Sequence, residues 1–318
     1  MRAVLRHLVQ VLLLGALAAA AGAGCGDAPA APPQPEPEAQ HPLNVLLVVM
    51  DTTRADRCSF LGYERPTTPY LDRLAAESVV YSNAWVPAGW TGPAHGSMFT
   101  GLRPRKHGFI EQRLPVLPSS AVTLAEILAE AGWKTAALSN NLVVSGDFGL
   151  VQGFEHAPRI ALMKERELPL ARDALDRTLE FIDVQTRTGH PYFVYVNVYE
   201  PHLPYEPAAE FQDRFLRQDP LPNVLAAARA WNNPTVLAQM LGLMSMDPQL
   251  PPVLRDLYDA EIAWLDAELA TFFEALRARG ELERTLVIVT SDHGENLGEH
   301  GLWDHRFSLH GTIRHVPL

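Results

Sequence analysis

Four short stretches of the chain are apolar or β-branched with little polar interruption: Asn44–Met50 (NVLLVVM), Lys134–Leu138 (KTAAL), Tyr192–Tyr199 (YFVYVNVY) and Leu286–Thr290 (LVIVT). Runs without strict alternation are the pattern of strands buried on both faces, as parallel sheets require. Between them, apolar residues recur at helical spacing over Thr68–Glu77, Leu124–Ala131, Leu170–Ile182 and Leu254–Leu276. Strand–helix alternation of this kind predicts an α/β fold with a mostly parallel central sheet and helices on both faces. Residues 208–253 hold no sustained period and read as an insertion. The stretch Leu254–Leu276 is acidic and amphipathic and reads as a surface helix packed on the sheet. No internal repeat interrupts the pattern.

The first 43 residues follow other rules. Arg2 and Arg6 precede an apolar run from Leu8 to Ala21, and Gly22-Ala23-Gly24 then precede Cys25. This is the layout of an export signal over residues 1–24, with an apolar core too short for a confident membrane span. The small-residue run ending in cysteine resembles a bacterial lipobox, with Gly22 where leucine is preferred. The resemblance implies Cys25 as a lipidated first mature residue and a cell-envelope lipoprotein on the periplasmic or surface side. Plain secretion and an uncleaved anchor are the alternatives. Residues 25–43 are rich in Pro and Ala, the composition of an extended spacer.

Charge and cysteine content remove several classes. Lys+Arg number 26 against 37 Asp+Glu, a net charge of −11. A nucleic-acid binder would carry the opposite field. Two cysteines, Cys25 and Cys58, exclude a disulfide scaffold and a cysteine-built zinc site. Cys58 reads as packing.

Ligands of α/β sheets sit beyond the carboxyl ends of the strands. One strand here ends in Asp51, and another runs into Ser291-Asp292-His293-Gly294-Glu295, two acids and an imidazole on one loop. Alone, Asp51 is as readily a turn residue. Thr91 stands two residues before Pro93, where a helix is expected to start. Taken by itself it reads as a helix cap. The other reading is a hydroxyl at a helix N-terminus, where free N–H groups suit an anionic phosphoryl or sulfuryl group.

The stretch from NVLLVVMDTTRADRCSFLGYERPTTPYLDRL through AGWTGPAHGSMFTGLRPRKHG resembles the N-terminal half of the sulfatase family, in the alkaline phosphatase superfamily. So do VTLAEILAEAGWKTAALSNN, YFVYVNVYEPHLPY and TLVIVTSDHGENLGEHGLW, in order, over residues 44–318. The resemblance implies an alkaline-phosphatase-like three-layer sandwich and a metal site of Asp51, Asp292, His293 and the hydroxyl of Thr91. Thr91 matches the nucleophile position. His202, in Glu200-Pro201-His202, matches a position that contacts the ester or protonates the leaving group, and His305 lies near the position of a substrate-binding Lys; either is the expected proton donor. His95 and Asn140 fall where the family carries substrate-binding Arg and Lys. Glu295 reads either as a partner orienting His293 or as a solvated acid.

The departures carry information. Formylglycine is made from Cys or Ser and not from Thr, so that cofactor is not expected. A threonine at this position resembles the phosphodiesterase and phospho-headgroup transferase branches of the superfamily. Met50 replaces an aspartate, and His293 replaces a frequent Asn. An imidazole in the set favours Zn²⁺ or Mn²⁺ over Ca²⁺ or Mg²⁺. The expected function is a metal-dependent hydrolase of sulfate or phosphate esters of a sugar, lipid or small molecule. The alternatives are a phosphodiesterase or headgroup transferase, and a non-catalytic binder of sulfated or phosphorylated glycans. The chain ends at Arg314-His315-Val316-Pro317-Leu318, where the family enters a further strand, so a C-terminal subdomain is expected to be missing.

Overall fold

The computed structural model describes residues 42–110, 116–158, 170–217 and 219–318. The expected leader, Cys25 and most of the linker lie outside the described residues. No helix among the described residues is long and apolar enough to cross a membrane.

A four-stranded parallel sheet in the order β3-β4-β1-β5 forms the centre: β1 (Asn44–Met50), β3 (Lys134–Ser139), β4 (Tyr192–Val198) and β5 (Thr285–Thr290). The other strands among the described residues form two short antiparallel pairs, β2 (Ala84–Trp85) with β8 (His315–Val316), and β6 (Asn296–Leu297) with β7 (Trp303–Asp304). The period of two along β1 divides the core. Leu46, Val48 and Met50 face helices α5 (Leu170–Thr188) and α9 (Leu250–Ala278), meeting Ala174, Leu175, Leu269 and Phe273. Leu47 and Val49 face the other side, with Phe99 of α2 (Thr91–Thr100) and Ala125 of α4 (Leu124–Glu130). Side chains alternating across a strand thus build three layers. Helix α1 is Pro69–Ala76, and the single turn after α2, Pro104–His107, is α3.

Two expectations change. Residues 208–253 form three short helices, α6 (Ala209–Phe215), α7 (Pro222–Arg229) and α8 (Asn233–Met240). Val224, Ala228, Trp231 and Val236 pack with Leu254, Leu257 and Tyr258 of α9, a second core away from the sheet. Helix α9 is therefore a central element and not a surface one. Its buried acids Asp256 and Asp259 are paired by Arg57, Arg65 and Arg217 from distant segments. Burial of carboxylates is tolerable only with such partners.

Register aligns the carboxyl ends of the strands. Val49 pairs with Asn197 of β4 and Thr290 of β5, and Asn197 pairs with Ser139 of β3. Asp51, Asn140 and Asp292 therefore leave the sheet at one edge. Helix α10 (Gly311–Arg314) and β8 close the chain beside β2.

Candidate active site

Helix α2 begins at Thr91, and the cap position belongs to Trp90, which makes no side-chain cap bond. The Thr91 hydroxyl does not serve as a cap either. It lies 3.5 Å from His293 Nε2 and accepts a 3.4 Å bond from Asn141 Nδ2. The cap reading that the isolated segment favours is thereby overturned.

Asp51, Asp292 and His293 bring one ligand atom each within 4.8 Å of the others, all three residues buried. Each carboxylate commits one oxygen to the protein. Asp292 Oδ1 accepts from the Thr52 and His293 amides at 3.2 and 2.9 Å, and Asp51 Oδ2 accepts from Asn141 Nδ2 at 2.7 Å. The other oxygens, Asp51 Oδ1 and Asp292 Oδ2, are buried and have no hydrogen-bond partner among the described residues. His293 Nδ1 lies 3.0 Å from the Gly294 carbonyl and must donate to it. In the neutral ring Nε2 is then a lone pair, set 3.2 Å from Asp292 Oδ2. Burial first, then the positive field of His305, holds the His293 pKa well below its ordinary value. Burial and the charge of Asp51 push Asp292 well above the carboxylate range. Two buried carboxylate oxygens and an imidazole nitrogen, crowded together, are a donor set that a divalent cation fits, since its charge would relieve the repulsion that pushes Asp292 up.

His95, one helical turn after Thr91, was expected to contact substrate. Its Nδ1 donates to the Thr91 carbonyl at 2.9 Å, which leaves Nε2 to accept from the Tyr195 hydroxyl at 2.6 Å. The ring is fully buried, and burial lowers its pKa. Both nitrogens are taken by the protein, so His95 braces the start of α2 from behind. Asn140 is also buried, and among the described residues neither of its amide atoms has a hydrogen-bond partner. Its neighbour Asn141 reaches Asp51 and Thr91 instead. The pair Asn140-Asn141 was visible in the sequence, but which amide turns to the site is set by the turn after β3, where Asn141 Oδ1 accepts from Val143 N at 2.9 Å.

A second group of Glu295, Asp304 and His305 is equally buried. His305 Nδ1 sits 2.6 Å from Asp304 Oδ1 and 3.4 Å from Glu295 Oε1. The Tyr205 hydroxyl donates to Glu295 Oε2 at 2.6 Å. Burial opposes a charge on His305, but the bonds to Asp304 and Glu295 outweigh it and push the pKa up to about 10. The His305 Nε2 atom is buried, with no hydrogen-bond partner among the described residues. The ring of His305 lies 4.5 Å from that of His293 and 5.1 Å from that of His202. His202 is half-buried, stacked on Tyr199, with Nδ1 2.8 Å from the Leu203 carbonyl. Glu295 thus is buried and holds His305, which differs from both sequence readings, a partner of His293 and a solvated acid. Tyr205 and Asp304 are contacts that no spacing signalled.

Cys58, His107 and His300 are accounted for by contacts within the protein. Cys58 is buried, with Sγ 3.4 Å from the Arg54 carbonyl. His107 receives the Phe109 amide on Nδ1 and donates from Nε2 to Ser97, a tie between α2 and the segment after it. His300 is exposed and stacked on His310.

A parallel sheet with paired carboxylates, imidazoles and a helix-starting threonine at its carboxyl edge defines an alkaline-phosphatase-like α/β protein. The model of the sulfatase family matches residues 43–318, and the chain belongs to that family. It is 24% identical to iduronate 2-sulfatase of Homo sapiens over 87% of its own length and 59% of that protein's. The phosphonate monoester hydrolase of Agrobacterium radiobacter superposes with a TM-score of 0.67 at 20% identity, covering 86% of this chain and 67% of that one. The periplasmic domain of phosphoethanolamine transferase EptC from Campylobacter jejuni does so with a TM-score of 0.62 at 19% identity, covering 87% and 78%. The two superpositions establish the fold. The chain spans 59 to 64% of the lengths of the first curated relatives it matches.

Proposed function

We propose that this chain cleaves sulfate or phosphate esters in a metal-dependent reaction with Thr91 as nucleophile. The observation that carries this reading is the uncapped Thr91 hydroxyl, set at a helix start against His293 and bonded to the same Asn141 amide as Asp51. Asp51, Asp292, His293 and Thr91 would hold the cation, with Zn²⁺ or Mn²⁺ suited to a set that includes imidazole. When bound, the ion supplies positive charge that favours a deprotonated hydroxyl and offsets charge on the transferring group.

Thr91 Oγ attacks phosphorus or sulfur and forms a bond to it as the ester oxygen leaves on the opposite side. His305, held by Asp304 and Glu295, or the more open His202, gives its proton to that departing oxygen. The positive end of α2, which starts at Thr91, favours negative charge on the group being transferred. Water or an acceptor alcohol then displaces Thr91 Oγ, and its proton returns to the histidine. No formylglycine takes part, because position 91 is threonine. A sugar, lipid or small-molecule ester meets these requirements. Transfer to an alcohol in place of water is the second reading, favoured by the threonine and the likeness to EptC. Export and lipidation at Cys25 would set the domain at the cell envelope.

The test is a metal-supplemented panel of aryl sulfate, phosphate monoester, phosphodiester and phosphonate monoester, with and without an acceptor alcohol. Turnover that Thr91→Ala abolishes supports the nucleophile. A Thr91→Ala protein as active as wild type ends the proposal.

A further inference from the structure

The turn that carries Asp51 out of β1 holds a conformation that its next residue resists. Thr52 is fully buried with a φ of 53°, in the left-handed region. A side chain branched at Cβ is poorly suited to that region. Such conformations persist only where the surroundings hold them, and they gather at functional sites. Here the holding group is the hydroxyl of Tyr258 on α9. It donates to the Thr52 carbonyl at 2.7 Å and accepts from the Arg54 amide at 3.1 Å, so it spans the turn. We propose that Tyr258 is a positioning residue for the cation group. By keeping Thr52 left-handed it aims the Thr52 amide at Asp292 and fixes the spacing of Asp51 and Asp292. This gives the site a determinant of cation affinity, and it rests on reading Asp51, Asp292 and His293 as a cation site.

The Thr52 amide is one of two that Asp292 Oδ1 accepts, at 3.2 Å. With Oδ1 tied down, Oδ2 is left 3.2 Å from His293 Nε2. Rotation of Thr52 out of the left-handed region would withdraw its amide and free Asp292 to turn. The Thr52 side chain offers no competing bond. Its Oγ1 is buried and has no hydrogen-bond partner among the described residues. The backbone of the turn, and not the Thr52 hydroxyl, therefore sets the carboxylate.

Tyr258 is itself firmly held. It is fully buried, belongs to the second core with Trp231 and Leu297, and meets the Tyr205 ring edge-on at 5.5 Å. Burial raises its pKa well above the ordinary value, so the hydroxyl keeps the proton that it donates. The contact also reaches the second group. Arg54, whose amide Tyr258 receives, donates from Nη1 to the Glu295 carbonyl at 3.0 Å, and Glu295 holds His305. Helix α9 and the core built on it thereby brace a site to which they give none of the three candidate ligands.

Calorimetric titration of Zn²⁺ and of Mn²⁺ into the full chain tests this, together with hydrogen exchange of the metal-free protein read by mass spectrometry. Tyr258→Phe removes one oxygen and keeps the ring. It should weaken cation binding by about tenfold or more, and residues 51–54 should exchange faster. Thr52→Gly should bind like wild type, because glycine takes a positive φ freely. Tyr258→Phe combined with Thr52→Gly should recover most of the lost affinity; combined with Thr52→Val it should not. A tyrosine needed only for stability would gain nothing from glycine at position 52. Wild-type affinity in Tyr258→Phe, or equal recovery with glycine and valine, would overturn the proposal. So would loss of binding in Thr52→Gly, which would make the Thr52 hydroxyl a ligand itself. If wild type binds neither cation, the metal reading falls and exchange decides what is left. Faster exchange in Tyr258→Phe would keep Tyr258 as the holder of the turn, and equal exchange would end that role too.

Discussion

Two groups of the same composition, carboxylates with an imidazole, lie side by side beyond the sheet and behave in opposite ways. In the first, Asp51 and Asp292 each leave one buried oxygen without a partner and His293 is held neutral. In the second, Asp304 and Glu295 spend their oxygens on His305, which they keep charged, while Tyr205 completes Glu295. The difference is one of hydrogen-bond bookkeeping. A lone pair left over asks for a cation; a lone pair already met by an imidazole makes that ring a proton donor. Residue type alone does not decide which of the two a buried acid becomes.

The comparison breaks most severely at Asp292. Asp292→Asn removes one of two crowded carboxylates, so the metal-free protein should melt higher than wild type. The rise in melting temperature on adding Zn²⁺ or Mn²⁺ should vanish, and turnover should fall by about a thousandfold or more. Differential scanning fluorimetry with and without metal reads the first two effects. An unchanged metal response would remove Asp292 from the ligand set. Next in size is Asp304→Asn, which leaves His305 with the weaker of its two acid partners. Loss of a general acid costs about a hundredfold or more. It should be greatest for esters with poor leaving groups and smallest for nitrophenyl esters, which need no proton. A uniform loss across leaving groups would make Asp304 structural. Tyr205→Phe acts one bond further out. Losing one hydrogen bond to a charged acceptor, on the order of 1.5 kcal/mol, predicts about a tenfold fall in kcat with KM nearly unchanged. A fall in KM alone would contradict it.

Much of this arrangement was legible along the chain, for a physical reason. NVLLVVM and LVIVT have no polar break, so their burial on both faces is written in composition, and the acids that end them land at one sheet edge by register. The three helices of residues 209–240 were illegible because each is short and proline-led or polar, and their apolar positions make sense only against α9. The acids of α9 looked like a solvated face because their arginine partners lie far along the chain, Arg217 39 residues from Asp256 and Arg65 191 residues from it. At the site, His293 and Asp292 stand in a recognisable run. Asn141, Tyr205 and the choice of His305 by Glu295 depend on turns and on contacts across 90 residues or fewer that carry no periodicity. His95 misled because spacing puts it on the helix of Thr91 without saying which way its two nitrogens are used.

Another buried carboxylate, outside both groups, sharpens the contrast. Asp266 of α9 accepts from the Tyr70 and Leu71 amides at 2.7 and 2.9 Å, and so caps helix α1, whose own cap residue Thr68 makes no cap bond. Burial raises its pKa from 3.8 to about 6, against the lowering effect of those two amides. The folded state therefore takes up a proton between pH 4 and 6 that the unfolded chain has lost. Stability contributed by this group is full below about pH 4 and declines as pH rises to about 6. The gap between 3.8 and about 6 amounts to on the order of 3 kcal/mol. Asp266→Asn keeps a carbonyl for one amide and cannot ionise. The unfolding free energy of wild type minus that of Asp266→Asn, from urea titrations at pH 4, 5, 6 and 7, should fall across the first three and then level. Ester turnover per folded molecule should not change. A difference that rises with pH would mean that the negative charge at the start of α1 outweighs its burial, and that this acid belongs with the satisfied kind after all.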